Sequence, residues 1–253
     1  MASDDRPDGT ADLSALGTGL AHEIKNPLST LVLNAQILRE DILDLDLPDE
    51  QAGSIVRRVD TLTREANRLK DILEDFLRYA GRMVLDPAPV DLREAIDELA
   101  DFVHPQCDRA GVRLRVDLPA SPVVVPIDAR LIKQALLNLL VNALQAMGNE
   151  SPEATPRPDR ASELIVKLEG PMDGMVRIHV IDTGPGIEAD QASAVFRPYV
   201  TSKKSGSGLG LPTARRIAAE HGGTLDLHTT PGVGCDFVMS LPTNPAIPAS
   251  PSS

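Results

Sequence analysis

From Leu13 onward the apolar residues fall on a regular stripe. Ile24, Leu28, Leu31, Ala35, Leu38, Ile42 and Leu45 alternate spacings of four and three, the heptad seam of a helix packed lengthwise on another. Leu47-Pro48-Asp49-Glu50 interrupts the stripe. A second seam runs through Ile55, Val59, Leu62, Ala66, Leu69, Leu73, Phe76 and Ala80, and Gly81 is placed to cap it. Two long helices joined by a short turn form an antiparallel hairpin. A lone hairpin leaves part of such seams uncovered, whereas two copies bury them in a four-helix bundle, so the pattern predicts a homodimer. Packing of the hairpin on the C-terminal half of its own chain is the other arrangement the seams allow.

After the seams the periodicity changes. Leu85-Asp86-Pro87-Ala88-Pro89 has the composition of a linker, and Asp91 is placed as the N-cap of a helix with Glu94 in capping-box position. Short strands are expected at 112–118 and 123–127, followed by an apolar helix, Ala129 to Met147. The Pro- and charge-rich residues 148–161 predict a loop. Strands at 163–169 and 175–181, a helix at 209–221 and strands at 223–229 and 234–241 complete the pattern. The expected fold class is α+β: an N-terminal helical hairpin forming a dimeric four-helix bundle, then an α/β sandwich. The boundaries are 1–10, a disordered N-terminus; 11–82, the hairpin; 83–90, a linker; 91–242, the sandwich; and 243–253, a disordered Pro- and Ser-rich tail.

Composition narrows the function. Aromatic residues are 2% of the 253 and Trp is absent, so the core is aliphatic and a base-stacking platform has little to be built from. The net charge of −12 also argues against nucleic acid as a partner. An acidic chain that holds a nucleotide needs a cation or local positive dipoles to offset repulsion. Cys107 and Cys235 are far apart and form no CxxC, which fits thiols in a reducing compartment. No apolar run approaches a membrane span, and the first residues lack a basic-plus-apolar signal pattern. The expectation is a cytoplasmic protein without a membrane span.

Four segments carry candidate chemistry. In His22-Glu23-Ile24-Lys25-Asn26-Pro27-Leu28, the seam residues leave His22, Glu23 and Asn26 on the outer face, with His22 and Asn26 one turn apart. Pro27 cannot donate to the Glu23 carbonyl, so a bend is expected here. An imidazole beside a carboxylate suits nucleophilic chemistry, although a solvated surface histidine gives the same string. Ile178-His179-Val180-Ile181 predicts a strand ending in Asp182-Thr183-Gly184-Pro185-Gly186; a carboxylate there can accept from an exocyclic amino group, and glycines let backbone approach a flat ring. Gly206-Ser207-Gly208-Leu209-Gly210-Leu211 opens a helix and exposes N–H groups to phosphate. Asn138 and Asn142 lie one turn apart on the 129–147 helix, where they can hold Mg²⁺ or phosphate oxygens or bond within the core.

In this order the segments resemble the five boxes of bacterial sensor histidine kinases of the GHKL ATPase superfamily. The H box is His22 to Leu28, the N box Asn138 to Ala143 and the first G box Asp182 to Gly186. Phe196-Arg197-Pro198-Tyr199-Val200-Thr201-Ser202-Lys203 stands as the F box, and Gly206 to Leu211 as the second G box. His-Glu-Ile-Lys-Asn-Pro-Leu and Asn-Ala-Leu-Gln-Ala-Met are closest to the nitrogen-regulation type. The resemblance implies an enzyme that phosphorylates His22 from ATP and Mg²⁺ and passes the phosphoryl group to an aspartate of a response regulator receiver domain. Glu23 would be the general base, and Asn26 would position water for phosphatase activity. Asn142 with Asn138 would hold the metal, and Asp182, Gly184 and Gly186 the adenine. Thr201, Lys203, Gly206, Gly208, Leu209 and Gly210 would line the lid over the phosphates. Gln145 stands where many members carry Lys, and Tyr199 and Ser202 where Phe and Thr are commoner. A dimeric pseudokinase scaffold that docks a receiver domain, or another GHKL ATPase, is the alternative; the latter lacks the histidine-bearing hairpin.

Overall fold

The computed structural model describes residues 9–45, 48–81, 83–148, 162–201 and 206–244, with the side chains of residues 9–23 and 49 outside that description. Residues 1–8 and 245–253 of the expected disordered ends and most of the 148–161 loop lie outside the described residues, as do Leu47, Ser202 and Lys203; Gly9 and Thr10, expected in the disordered N-terminus, are helical, and Thr243, expected in the disordered tail, donates its N–H to the Gly174 carbonyl at 2.8 Å. The chain divides into two units, Met1–Arg82 and Met83–Ser253.

The first unit is a helical hairpin of α1 (Gly9–Asp44) and α2 (Asp49–Ala80). Helix α1 runs through Pro27, where a bend is expected, without interruption, and Asp49 and Glu50, assigned to the turn by sequence, already belong to α2. Gly81 caps α2 by donating its N–H to the Leu77 carbonyl at 2.8 Å, in an extended rather than left-handed conformation. Each seam splits into two rows. Ile42 and Val59 are buried, and Leu28, Ala35, Ala66 and Leu73 are half-buried; Ile24, Leu31, Leu38, Leu45, Ile55, Leu62, Leu69 and Phe76 stay exposed. Up to Phe76, every second seam residue therefore faces the sister helix and its neighbour does not; Ala80, the last, is exposed. Between the helices, Arg39 Nε donates to Asp60 Oδ1 at 3.1 Å. Lys25 Nζ lies 2.7 Å from Glu74 Oε1, a pairing that lowers the Glu74 carboxyl below its ordinary range.

The second unit has two layers. Strands β2 (Arg113–Asp117), β4 (Glu163–Met172), β5 (Met175–Asp182), β7 (Gly234–Pro242) and β6 (Thr224–Thr230) form one sheet in that spatial order. The β2–β4 pair is parallel and the others are antiparallel. A separate ribbon pairs β1 (Ala88–Asp91) with β3 (Val124–Ile127). Strand β1 was not expected: its residues read as linker because two prolines flank Ala88. Pro89 pairs with Pro126, at the one kind of ribbon position where a missing N–H costs little. Helices α3 (Leu92–Ala110), α4 (Ala129–Met147) and α5 (Gly210–Glu220) contribute to one core with the sheet. That core is aliphatic, with Phe237 its one fully buried aromatic among the described residues.

Caps begin two of these helices. Asp91 accepts from Arg93 N at 3.1 Å and from Val123 N at 3.1 Å, and Arg93, rather than the expected Glu94, reaches back to it. The Arg93 side chain, reinforced by those two backbone N–H groups, holds the Asp91 carboxyl down at about 2. Asp128 caps α4 by accepting from Leu131 N at 3.1 Å.

Candidate functional site

Two sets of candidate residues sit on different units. His22, Glu23 and Asn26 all lie on α1, where the helical repeat places His22 and Asn26 one turn apart. Asn26 is exposed, and its carbonyl accepts from Thr30 Oγ1 at 3.1 Å.

The second set belongs to the sandwich, and strand alternation builds it. Along β5, Val176, Ile178 and Val180 point into the core, and the same period carries Asp182 to the helix-facing side at the strand's end, where it is 3% exposed. A carboxylate there needs hydrogen bonds, and Gly184 N donates to Asp182 Oδ1 at 2.9 Å. Thr183 Oγ1 accepts from Glu163 N at 2.9 Å, and Thr183 N donates to the Glu163 carbonyl at 3.1 Å, so the turn after Asp182 is latched to the neighbouring strand. Gly186 has φ +71°, and a Cβ there would come within 2.3 Å of the Thr230 carbonyl oxygen; only glycine fits.

Helix α4 reaches this turn with its C-terminal end. Thr183 Oγ1 donates to Met147 Sδ at 3.9 Å. Half-buried Asn138 donates through Nδ2 to the Gly210 carbonyl at 3.1 Å, and Asn142 is half-buried one turn further on. Gly210 is the first residue of α5, so Gly206, Gly208 and buried Leu209 lead directly into the amide-rich start of that helix. Residues 199 and 208 close the neck of the intervening segment: Tyr199 N donates to the Gly208 carbonyl at 3.1 Å. Both carry positive φ, +65° at Tyr199 and +69° at Gly208, and the latter touches the Tyr199 backbone too closely to admit a Cβ. Thr201 is exposed on that segment, and Lys203 lies outside the described residues.

Several contacts around the site were not foreseen from sequence. Cys235 is the β7 partner of Asp182, and burial, then the Asp182 charge, push its thiol up to about 11. Thr229 Oγ1 accepts from Ile187 N at 2.8 Å and lies 3.4 Å from Cys235 Sγ. Phe196 meets Phe237 edge-on at 6.3 Å, while the Arg215 guanidinium stacks 4.9 Å from the Phe196 ring centre, which ties the F box to α5. Strand register decides the first two contacts, and no spacing in the sequence carries it. Among the described residues, no group of three or more His, Cys, Asp or Glu side chains forms a metal cluster.

The comparisons with known proteins divide along the same line. Residues 12–81 match the His Kinase A (phospho-acceptor) domain, and residues 127–245 match the histidine kinase-, DNA gyrase B- and HSP90-like ATPase family. The chain belongs to the two-component sensor histidine kinases of the GHKL superfamily. Among curated histidine kinases, the sensor histidine kinase ZraS of Klebsiella oxytoca is 33% identical over 234 residues, 92% of this chain and 46% of ZraS. The sensory histidine kinase/phosphatase NtrB of Salmonella typhimurium is 36% identical over 231 residues, 88% of this chain and 60% of NtrB. Among solved histidine kinases, full-length ShkA in complex with AMPPNP matches with a TM-score of 0.70 and 25% identity, over 92% of this chain and 47% of ShkA. ThkA in complex with the response regulator protein TrrA matches with a TM-score of 0.63 and 25% identity, over 93% of this chain and 63% of that one. The chain thus spans about half the length of ZraS, the first of these relatives. No helix among the described residues is long and apolar enough to cross a membrane.

Proposed function

We propose that this chain is an ATP-dependent protein-histidine kinase that phosphorylates its own His22 and transfers the phosphoryl group to an aspartate of a response regulator receiver domain. The observation that carries the nucleotide half is Asp182: a carboxylate 3% exposed, on the helix-facing side of a strand end, under a turn that only glycine can make. It is an acceptor set for an adenine amino group, held in the turn that Gly184 and Gly186 make possible. The donor set around it suits ATP with Mg²⁺. Asn142 and Asn138 offer amide oxygens to a hard cation, while the start of α5, with Gly206, Gly208, Leu209 and Gly210, offers N–H groups to phosphates. Thr201 and Lys203 belong to the segment that would cover them. Bound Mg²⁺ would supply charge neutralisation, and the residues supply position, the two contributions phosphoryl transfer needs.

On the hairpin, His22 is the phosphoacceptor, Glu23 the base that takes its proton, and Asn26 the residue that orients water for phosphatase activity on the regulator. The likeness to NtrB, named a kinase/phosphatase, and to ThkA, solved with a response regulator, supports this assignment. The exposed seam rows of α1 and α2 support a homodimer in which a second hairpin covers them. ATP as substrate, together with buried free thiols at Cys107 and Cys235, supports action in the cytoplasm.

The test is labelling with γ-phosphate-labelled ATP and Mg²⁺. The parent should gain a phosphate that survives base and is lost in acid, as a phosphoramidate is, and should donate it to a cognate receiver domain. His22→Gln should abolish labelling and keep ATP binding. Undiminished labelling of that variant would remove His22 from its role.

A further inference from the structure

Two buried polar side chains of the sandwich have no place in the nucleotide chemistry above: Asp128 and His221, 4% and 3% exposed. Their hydrogen bonds determine each other. His221 Nδ1 lies 2.8 Å from the Ile217 carbonyl oxygen, which can only accept, so Nδ1 carries the proton. Nε2 lies 3.1 Å from the Asp128 backbone nitrogen, which can only donate, so Nε2 presents its lone pair. One neutral tautomer satisfies both. The Asp128 carboxylate meanwhile caps α4 through Leu131 N and accepts from Asp86 N at 3.3 Å, so the segment entering this unit ends on the same knot.

The position of that knot matters more than its strength. His221 ends α5 and Asp128 begins α4, while Asn138, ten residues along α4, binds Gly210 at the start of α5. The two helices therefore run antiparallel and are tied at two points about 15 Å apart, at 1.5 Å of rise per residue. Apolar contact between them would tolerate sliding and rotation; directional bonds at both ends do not. We propose that His221 is a positioning residue for the nucleotide site: it clasps the N-terminus of α4 to the C-terminus of α5, and so holds the asparagines of α4 in register with the glycine-led start of α5. The inference rests on the ATP site proposed above.

The test compares His221→Leu, which fills the space and makes neither bond, with His221→Gln, whose amide supplies one acceptor and one donor. In the full chain, the Leu variant should raise the KM for ATP, and the Kd for a non-hydrolysable ATP analogue, roughly tenfold, the scale of one or two lost buried hydrogen bonds. His22 labelling at saturating ATP should stay near the parental rate, and the Gln variant should recover most of the affinity. A Leu variant that melts earlier yet binds the analogue like the parent overturns the proposal, leaving His221 a structural residue only. If Leu does not fold, His221→Asn, too short to span both partners, replaces it: weakened binding supports the clasp, parental binding overturns it. A parent that binds no analogue sinks the nucleotide site and the clasp together, whereas a parent that binds beside an unaffected variant sinks the clasp alone.

Discussion

At the scale of single residues, the most exposed claim is that Asp182 reads adenine. Its Oδ1 accepts from Gly184 N at 2.9 Å. Asp182→Asn preserves volume, but its amide must turn its oxygen to Gly184 and present NH₂ to the amino group of adenine, donor against donor. ATP affinity should fall by about 1–3 kcal/mol, the cost of a buried bond lost or reversed. GTP, which offers an oxygen at that position, should lose less, so discrimination between the two should narrow. A fluorescent-nucleotide titration measures both; parental affinity in the variant would show that Asp182 does not contact the base. Asp182 was legible in the sequence because a strand followed by a glycine turn fixes where its last side chain points. Its neighbour Cys235 was not, since β7 arrives more than fifty residues later and only the pairing register sets the two opposite each other.

At the scale of elements, the seams were legible because a heptad repeat is a property of the chain itself. Their burial adds what spacing alone leaves open: one row of each seam closes the hairpin and the other is exposed, Leu31 at 59% and Leu69 at 56%. A helix pair with a half-covered seam is a dimer interface in waiting. Leu31→Asp or Leu69→Asp should therefore split the proposed homodimer while leaving each hairpin helical, since the new charge is solvated in the monomer and stranded in the bundle. Sedimentation against circular dichroism separates the two effects. A parent that is monomeric at micromolar concentration, or a variant that stays dimeric, would count against the bundle. Strand β1 shows the opposite case: its prolines carry a strong local turn signal, and pairing with β3 overrides it because a two-stranded ribbon leaves edges where Pro is tolerated.

At the scale of the whole chain, binding and transfer are separable because the residues assigned to each lie on different units. Glu23→Gln should leave ATP affinity at the parental value and slow labelling of His22 by roughly 10² to 10⁴, the usual contribution of a general base. Asp182→Asn should do the reverse, weakening binding while labelling recovers at saturating ATP. The same titration and labelling assays applied to both variants give crossed patterns. A Glu23→Gln variant that transfers at the parental rate would reduce Glu23 to a solvated surface charge.

The sequence by itself determined the order of the helices and of every strand but β1, and the five boxes that carry the family resemblance. All of these rest on local periodicity or on residue types with special backbone or hydrogen-bonding properties. The α4 helix, Ala129–Met147, emerged with its expected bounds for that reason. Tertiary structure decided which boxes touch: that Asn138 reaches Gly210 across seventy-two positions, that Met147 abuts the turn at Thr183, and that His221 clasps Asp128 across ninety-three. Those contacts depend on how the sheet orders its strands and how two helices lie across it. A hydrogen bond between residues so far apart leaves no periodic trace in the chain, because nothing in either partner's local sequence marks the other until the core has closed around them.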